Sequence, residues 1–490
     1  MGGLIAYGAY IPYHRLQRSR IAAVLGSGGG PGSRAVASYD EDTTSMGAEA
    51  ARAALRMLEG AGATPRQLYF ATAAPAYLDK TNAAAIHAAL RLPESALAVD
   101  MAGAVRSGVG ALLAAADARV PTLAVLSDVR TGLPGGGDER EGGDAAAALV
   151  FGGDGDGAPV IAEILAHHST TGEFLDRWRL PGDPASRVWE ERFGEHVYGP
   201  LAAGAYRAAL AGAGITAAEI DHLAVTGVHG RATRAMAKAA GVRREALAPD
   251  LAAAIGNTGT AAAGIALCDL LDRAEPGQTL ALVVLADGAT VLLLRTTAAL
   301  AAHRAPVPVS AQIAAGNDGL AYASYLTWRE LLVREPPRRP DPEAPAAPPS
   351  HRGEEWKYGF VASRCEACGA RHLPPARVCV ACHAVDRMRA EPLADVPATI
   401  ATFTVDRLAH TPSPPLVAAV IDFDGGGRFR CQLTDVAPEE VAIGGRVEMT
   451  FRRMVTAGGI HNYFWKARPL RQAEVPAGTA ATAANGARGA

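Results

Sequence analysis

Four cysteines in two close pairs are the strongest chemical signal in the sequence. Cys365 and Cys368 form one Cys-x-x-Cys pair, Cys379 and Cys382 form another, and ten residues separate the two pairs. Each pair places two thiolates on one turn, and two such turns complete the tetrahedral sulfur shell that Zn²⁺ favours. Because the protein fills all four positions, the spacing predicts a closed, structural zinc site.

The segments after the cysteines alternate between apolar and polar residues and predict a small β-barrel. Glycine-rich turns such as 425–427 separate five short strands, which is typical of the OB fold. Residues 351–470 carry 15 lysines and arginines against 13 aspartates and glutamates, a net charge of +2. That balance does not suit a groove that follows phosphates, so nucleic acid is not the expected partner. The predicted strands are 399–406, 416–423, 428–434, 446–451 and 461–466.

The part of the chain before residue 300 predicts a layered α/β core built from two similar halves. In each half, a strand-like run is followed by a helix rich in Gly and Ala and then by a second apolar run. A repeat of this length indicates two copies of a domain-sized unit, and loops at the carboxyl ends of such strands converge on one site. The first runs are 68–73 and 222–227, the helices begin near Ser107 and Thr258, and the second runs are 122–128 and 279–287.

Shifts in composition divide the chain into six expected segments. A Pro- and Ala-rich stretch ahead of the cysteines predicts a semi-rigid linker, and the Ala/Gly/Thr-rich end of the chain predicts a disordered tail. The segments are 1–165 and 166–300 for the two core halves, 301–350 for a helical segment and linker, 351–392 for the zinc ribbon, 393–470 for the barrel and 471–490 for the tail.

Overall charge and hydropathy narrow the class of protein. The formal net charge is −3 and a fifth of the residues are charged, so the chain is not strongly attracted to nucleic acid or to anionic membranes. No run of residues is long and apolar enough to cross a bilayer, and the amino end lacks the features of a signal peptide. Because four of six cysteines lie in the metal-type cluster, a reducing compartment is expected, and we predict a cytoplasmic location.

Several motifs in the core resemble the 3-hydroxy-3-methylglutaryl-CoA synthase group of the thiolase superfamily. They are residues 11–16 (IPYHRL), 39–42 (YDED), 142–146 (GGDAA) and 173–179 (EFLDRWR). The cysteine-rich module, from about Trp356 to Leu470, resembles the DUF35 family, whose members accompany thiolase-like enzymes and help to seat acyl-CoA. These resemblances imply a duplicated thiolase-like fold, a coenzyme A or acyl-carrier-protein thioester as substrate, and a homodimer.

Two functional residues of the resembled family persist, and two are replaced. His229, after the strand-like run 222–227, matches the family histidine, and Asn257 matches the asparagine that accompanies it in related ketoacyl synthases. The position of the nucleophilic cysteine holds Val105, and the position of the general acid/base glutamate holds Ala73. Valine cannot form an acyl-enzyme, so ordinary hydroxymethylglutaryl-CoA synthesis is not expected.

The residues beside Val105 have two interpretations each. Ser107 lies near the expected helix start, where serine commonly caps backbone N–H groups, although it is also a candidate nucleophile. Arg106 could bind a CoA phosphate or carboxylate, or it could be an ordinary ion-paired side chain. Tyr77, Tyr198 and Tyr206 are possible acid/base groups that would equally suit packing.

The sequence predicts a cysteine-independent enzyme that forms or cleaves a carbon–carbon bond in an acyl thioester by aldol, retro-aldol or Claisen chemistry. His229 and Asn257 would donate to the thioester oxygen. Two alternatives remain open. One is direct acyl transfer to a small-molecule acceptor, and the other is a non-catalytic scaffold for a cysteine-bearing, thiolase-like partner subunit.

Overall fold

A computed structural model of the chain describes residues 2–336, 338 and 342–470, and the predicted disordered tail, 471–490, lies outside the described residues. The strands before residue 300 are β1 (Gly3–Tyr10), β2 (His14–Gln17), β3 (Ser33–Val36), β4 (Gln67–Thr72), β5 (Leu97–Ala102), β6 (Thr122–Asp128), β7 (Ala145–Gly152), β8 (Ala162–Thr171), β9 (Arg177–Trp178), β10 (Arg187–Val188), β11 (His222–Gly227), β12 (Thr279–Leu285) and β13 (Gly288–Thr296). The helices are α1 (Arg18–Leu25), α2 (Thr43–Arg56), α3 (Ala83–Ala89), α4 (Arg106–Ala116), α5 (Gly137–Glu141), α6 (Glu191–Ala213), α7 (Gly230–Ala239), α8 (Ala252–Ile255), α9 (Ala262–Arg273), α10 (Val309–Ala314), α11 (Tyr322–Trp328), α12 (Ala347–Arg352) and α13 (Glu354–Lys357). The carboxyl-terminal strands are β14 (Val361–Cys365), β15 (Arg371–His372), β16 (Met388–Pro392), β17 (Ala398–Asp406), β18 (Leu416–Phe423), β19 (Arg428–Leu433), β20 (Arg446–Ala457) and β21 (Ile460–Pro469).

Nine strands of the core form one mixed sheet in the order β11-β12-β13-β8-β1-β7-β6-β4-β5. The two halves meet where Leu4 of β1 pairs with Ala162 of β8. In each half a parallel pair, β4 with β6 or β11 with β12, continues into antiparallel strands. The strands of both parallel pairs are the apolar runs that the sequence analysis identified as a repeat. This agreement confirms the duplicated α/β fold.

The two halves differ at their outer edges. β5 pairs in parallel with β4, whereas its counterpart beside β11 is reduced to a single bridge between Leu223 and Leu247. Between the halves, α4 and α9 contribute small and aliphatic side chains to one buried cluster. Ala and Gly at these helix positions let the backbones approach closely, as at Gly108, where an added Cβ would lie 2.6 Å from the carbonyl oxygen of Thr260.

The cysteine-rich module contains a three-stranded sheet, β15-β14-β16, followed by a closed barrel, β17-β18-β19-β21-β20. The predicted five-stranded barrel is confirmed. Its last two strands are longer than predicted, because Gly458 and Gly459, both at positive φ, form a tight turn that lets β20 and β21 continue as one hairpin.

The helical segment after residue 300 packs onto the core. Gln312 in α10 accepts a hydrogen bond from the Ile11 backbone N–H at 2.9 Å and donates one to the Ala9 carbonyl at 3.0 Å. Tyr325 in α11 is fully buried in a small apolar cluster with residues of β2, α1 and β3. Across the described ranges, no helix has the length and apolar character needed to span a membrane.

A buried ionic network joins the barrel to the core. Arg452 of β20 and Asp40 of the core are both fully buried, and Lys466 of β21 lies 2.8 Å from Asp40. Arg452 also lies 2.7 Å from Glu41 and 2.6 Å from Asp435 of the barrel. The YDED motif at 39–42 therefore holds the two parts of the chain together, and such ions need partners because burial removes them from water.

The pKa values of the two core carboxyls in this network shift in opposite directions. Burial alone raises the pKa of Asp40, but Lys466 and Arg452 outweigh it and hold that pKa well below its ordinary value. For Glu41, burial outweighs the attraction of Arg452 and raises the pKa to about 7.

Candidate active site and structural metal centre

The four cysteines come together as the sequence predicts. Their Sγ atoms all lie within 4.8 Å of one another, with Cys365 and Cys382 3.6 Å apart and Cys368 and Cys379 3.5 Å apart. Tetrahedral zinc with Zn–S bonds of about 2.3 Å requires sulfur–sulfur separations of about 3.8 Å, so the cluster fits Zn²⁺.

Two matching turns create this arrangement. Each begins at a buried cysteine whose carbonyl oxygen accepts the N–H of the residue four positions later, Gly369 after Cys365 and His383 after Cys379. Both of those residues have positive φ, at 77° and 61°. Since protein sulfurs fill the whole shell, zinc would act here as a structural ion and not as a reaction centre.

His229 lies two residues after the end of β11 and forms the N-cap of α7. Its Nδ1 accepts a hydrogen bond of 3.1 Å from the Ala232 backbone N–H. A neutral imidazole that accepts at Nδ1 must carry its proton on Nε2, so this side chain presents Nε2 as a donor. The sequence identifies this histidine, and the cap explains how its ring is held.

Asp176 and Tyr198 accompany His229. Tyr198 of α6 has its ring centroid 5.9 Å from that of His229, and its hydroxyl oxygen accepts the Asp287 backbone N–H at 3.3 Å. Burial raises the pKa of Asp176, although His229 and Arg177 oppose this rise. Asp176 Oδ1 is buried and has no hydrogen-bond partner within the described part of the chain. A raised pKa beside a histidine is the mark of a candidate general base.

A glycine lets His229 and Asp176 approach α6. A Cβ added at Gly194 would lie 2.7 Å from His229 Nε2 and 2.8 Å from Asp176 Oδ1. Any side chain at this position would occupy the space between the two functional groups. Sequence reasoning did not assign a role to Asp176 or Gly194. Asp176 is an acidic residue within the motif 173–179, and Gly194 is a small residue that follows this motif.

Asn257 is held with a defined orientation at the end of β11. Its Nδ2 donates to the Gly227 carbonyl at 2.6 Å, and its Oδ1 accepts the Gly259 N–H at 3.0 Å. These two bonds fix the amide, and they leave the second hydrogen of Nδ2 for another acceptor. Because Gly227 is two residues before His229, the structure brings both predicted residues to the same strand end.

The helix start predicted near Ser107 is observed one residue earlier, since α4 begins at Arg106 with Val105 as its N-cap residue and without a side-chain cap. The interpretation of Ser107 as a cap is therefore wrong, because the serine lies inside the first turn. Among the described residues, no side chain is hydrogen-bonded to its hydroxyl, and its role as a nucleophile stays a prediction.

Arg106 joins α4 to the second half of the core. Its Nη1 donates to the carbonyls of Ala286 and Asp287 at 2.7 and 2.8 Å, and its Nη2 donates to Thr170 and Thr171 at 3.1 and 2.9 Å. Both terminal nitrogens are thus used within the protein, which favours the interpretation as a structural side chain over CoA binding.

Comparisons with known proteins agree with this geometry. A family model described as 3-oxoacyl-[acyl-carrier-protein] synthase III C terminal matches residues 210–295. Models described as the ChsH2 rubredoxin-like zinc ribbon domain and the ChsH2 C-terminal OB-fold domain match residues 357–386 and 390–452. The chain combines a thiolase-like core with a ChsH2-type module.

Curated relatives match the thiolase-like core over most of their own length. Hydroxymethylglutaryl-CoA synthases of Pyrobaculum aerophilum and Picrophilus torridus are each 28% identical, over 351 and 349 residues. These alignments cover 67% and 68% of this chain and 98% of each relative.

Solved structures share the fold of the thiolase-like core. MvaS in complex with 3-hydroxy-3-methylglutaryl coenzyme A is 19% identical with a TM-score of 0.53, and the match covers 80% of this chain and 99% of that structure. The curacin-pathway HMG synthase in complex with holo donor-ACP is 17% identical with a TM-score of 0.56, covering 67% and 88%. The 3-oxoacyl-[acyl-carrier-protein] synthase III of Aquifex aeolicus is 20% identical with a TM-score of 0.52, covering 60% and 100%.

A second carboxylate of the thiolase-like core was also missed by sequence reasoning. Asp128, the last residue of β6, accepts the Thr260 N–H at 2.9 Å, and burial raises its pKa despite the neighbouring Arg130. A Cβ at Gly259, where φ is 57°, would lie 2.1 Å from Asp128 Oδ2. Asp128 thus packs on the turn that carries Asn257, and we interpret it as a residue that positions this turn.

Proposed function

We propose that this protein forms or cleaves a carbon–carbon bond in a CoA-bound or carrier-bound acyl thioester without an acyl-enzyme intermediate. The observation that carries the proposal is the pairing of a donor imidazole, His229, with a buried carboxylate, Asp176, beside the anchored amide of Asn257. An enolate requires donors for the thioester oxygen and a base for a proton, and these groups supply both.

In the cleavage direction, Asp176 takes the proton of a β-hydroxyl group and the bond between the α- and β-carbons breaks. The β-carbon becomes the carbonyl of the released fragment, and the electron pair forms the thioester enolate. Nε2–H of His229 and the second N–H of Asn257 donate to the enolate oxygen, where negative charge develops. Return of the proton to the α-carbon gives the shortened acyl thioester, and the reverse sequence is an aldol addition.

The replaced family positions fit this scheme. Val105 stands at the start of α4 and Ala73 follows β4, so the thioester would keep its own thiol throughout. The similar proteins include enzymes named for CoA and acyl-carrier-protein substrates, which supports a thioester as the substrate class. The reaction type rests on the arrangement of Asp176, His229 and Asn257.

The test is incubation with a panel of β-hydroxyacyl-CoA and β-ketoacyl-CoA compounds, followed by mass spectrometry of the products. We expect His229→Ala and Asp176→Asn each to lower turnover by about 100-fold or more. His222→Ala, at the opposite end of β11 and hydrogen-bonded to Gln278, is the matched control and should retain activity. Turnover that survives both site substitutions would rule out this assignment.

The pH profile tests the role of Asp176 separately. A base must be ionised to act, so the rate should fall as the pH drops through the raised pKa of Asp176. We expect this limb to lie above the ordinary range of aspartate and to be absent from the residual activity of Asp176→Asn. A profile unchanged by the substitution would assign the base to another group.

A second candidate function is that of a scaffold for a cysteine-bearing, thiolase-like partner. The edge strand β5 favours it, because none of its residues is fully buried and Leu97 in it is 51% exposed. Co-purification of a cysteine-bearing thiolase, with turnover only in the complex and no effect of His229→Ala, would support this function. The appearance of an acylated acceptor in place of a cleaved fragment would instead indicate direct acyl transfer.

A further inference from the structure

A cavity of about 380 Å³ lies where the thiolase-like core, the helices before the ribbon and the barrel meet. The core contributes the loop after β4, the connecting segment contributes α12 and α13, and the barrel contributes the start of β21. Its volume is at the lower end of the range for small-molecule sites, about 300–1,000 Å³, and suits a ligand of one ring and a head group. None of His229, Asp176 and Asn257 lines it.

Lysine is concentrated at this cavity. The chain has 47 lysines and arginines, of which only Lys80, Lys238, Lys357 and Lys466 are lysines. Two of these four, Lys80 and Lys357, line the cavity. Since basic positions in this chain are otherwise filled by arginine, two lysines at one small cavity indicate a need for compact ammonium groups.

The charged side chains that line the cavity are the two lysines and one acid, Glu354. His351 and His461 also line it, and burial lowers the pKa of His461, which favours its neutral form. Glu354 Oε2 lies 3.5 Å from Nδ1 of the exposed His351. Lys357 donates to Ser350 Oγ at 3.2 Å, which leaves two of its three ammonium hydrogens for other acceptors. Burial lowers the pKa of Lys357 below its ordinary value.

Aromatic and apolar side chains form the rest of the wall. Tyr77 packs against His461 with ring centroids 4.7 Å apart, and its hydroxyl oxygen accepts the His461 backbone N–H at 2.7 Å. Tyr463, whose hydroxyl donates to Asp42 at 2.7 Å, presents its ring, and Ile460 adds an aliphatic surface. These bonds fix the rings in place, so the cavity offers a rigid apolar surface beside the ammonium groups.

We propose that this cavity is a second ligand site, which binds a small organic anion consisting of a flat apolar or aromatic body and a carboxylate or phosphate group. The two lysines bind the anionic group, and the tyrosines contact the body. Because the walls come from the core, the connecting helices and the barrel, an occupant would bridge all three segments. None of its lining residues has a role in the proposed carbon–carbon chemistry.

The first test is affinity labelling of the full-length protein with pyridoxal 5′-phosphate, which has a flat ring, a phosphate and an aldehyde. The aldehyde condenses with an unprotonated lysine amine and releases water, and borohydride then reduces the imine to a stable secondary amine. Peptide mass spectrometry separates the four lysines.

We expect Lys357 or Lys80 to be labelled at least tenfold faster than Lys238, an exposed lysine on α7. Excess phenyl phosphate or benzoate should protect the cavity lysines. Labelling fastest at Lys238, or without protection, would overturn the proposal.

The second test is calorimetric titration with phenyl phosphate, benzoate and inorganic phosphate. The double variant K80Q/K357Q should bind the preferred aromatic anion about 10- to 100-fold more weakly, whereas K238Q should bind it as the natural chain does. Binding of phenyl phosphate alone identifies a phosphate group, and binding of benzoate alone identifies a carboxylate. Inorganic phosphate binding as tightly as phenyl phosphate would show that the aromatic surface is not used and would refute the proposed ligand class.

Discussion

Replacing Arg452 by methionine tests whether the buried ionic network holds the barrel to the core. The variant would leave Asp40, Glu41 and Asp435 around the position of a lost cation, while methionine would retain most of the side-chain volume. Removing one partner of a buried ionic group typically costs about 3–5 kcal/mol, because the remaining charges stay buried. With a urea m-value of about 2 kcal/mol/M, the midpoint of barrel unfolding should fall by about 2 M.

The matched control is Arg428→Met in the same barrel. Arg428 forms its ion pair with Asp422 at the surface, where the two side chains are 67% and 44% exposed. Such a pair contributes less than about 1 kcal/mol, so this variant should unfold close to the natural chain. Urea titration followed by tryptophan fluorescence can report on both, since Trp465 is buried in the barrel. Equal midpoints for the two variants would refute the role given to Arg452.

The pH dependence provides an internal check on this reasoning. The folded-state pKa of Glu41 is raised to about 7, above its value in the unfolded chain, so its protonated form favours folding at low pH and this contribution is lost as the pH rises through 7. Without the attraction of Arg452, the pKa of Glu41 should rise further. The stability deficit of the Arg452→Met variant should therefore be smaller at pH 5.5 than at pH 8. A deficit that is independent of pH would contradict the electrostatic explanation.

Three further outcomes are expected. Cys379→Ser should abolish zinc binding in metal analysis and unfold the ribbon, because structural zinc contributes on the order of 10 kcal/mol, while Cys431→Ala, outside the cluster, should keep one zinc per chain. Gly194→Ala should displace the neighbouring imidazole and carboxylate and lower turnover by about 100-fold, whereas Gly204→Ala, in the same helix with open space around its Cβ, should leave turnover unchanged. If β5 forms the homodimer contact, Leu97→Lys should shift the mass measured by light scattering toward the monomer without lowering stability. A persistent dimer would place the contact elsewhere.

Local signals explain what could be predicted from the sequence. The zinc ligands lie within 18 residues and close by two short turns, so their spacing alone reports the geometry. The duplicated sheet could be inferred because β4 and β11 carry the same apolar pattern and occupy matching positions. His229 and Asn257 were found through family resemblance. Both lie at the same end of β11, because Asn257 Nδ2 donates to the carbonyl of Gly227, two residues before His229.

Contacts between distant segments could not be inferred in the same way. Arg106 donates to four oxygens, three of them backbone carbonyls. Because every residue has a backbone carbonyl, residue types cannot show which carbonyls an arginine will contact. Asp176 becomes a base candidate only because folding buries it beside His229. The YDED motif looked like a family marker, and its role in binding the barrel through Arg452 depends on packing between segments that are distant in the chain.

The position of Arg452 in the chain also has a consequence for biosynthesis. Asp40 and Arg452 are 412 residues apart. At a translation rate of about 5–20 residues per second, roughly 20–80 s pass between the synthesis of the core carboxylates and that of Arg452 and Lys466, which neutralise them. During that interval the amino end of α2 would carry solvated acidic groups, which would discourage premature packing against other nascent chains. The barrel would then dock last. The buried ionic network of the core would be completed only at the end of synthesis, when the barrel residues that pair with it have been made.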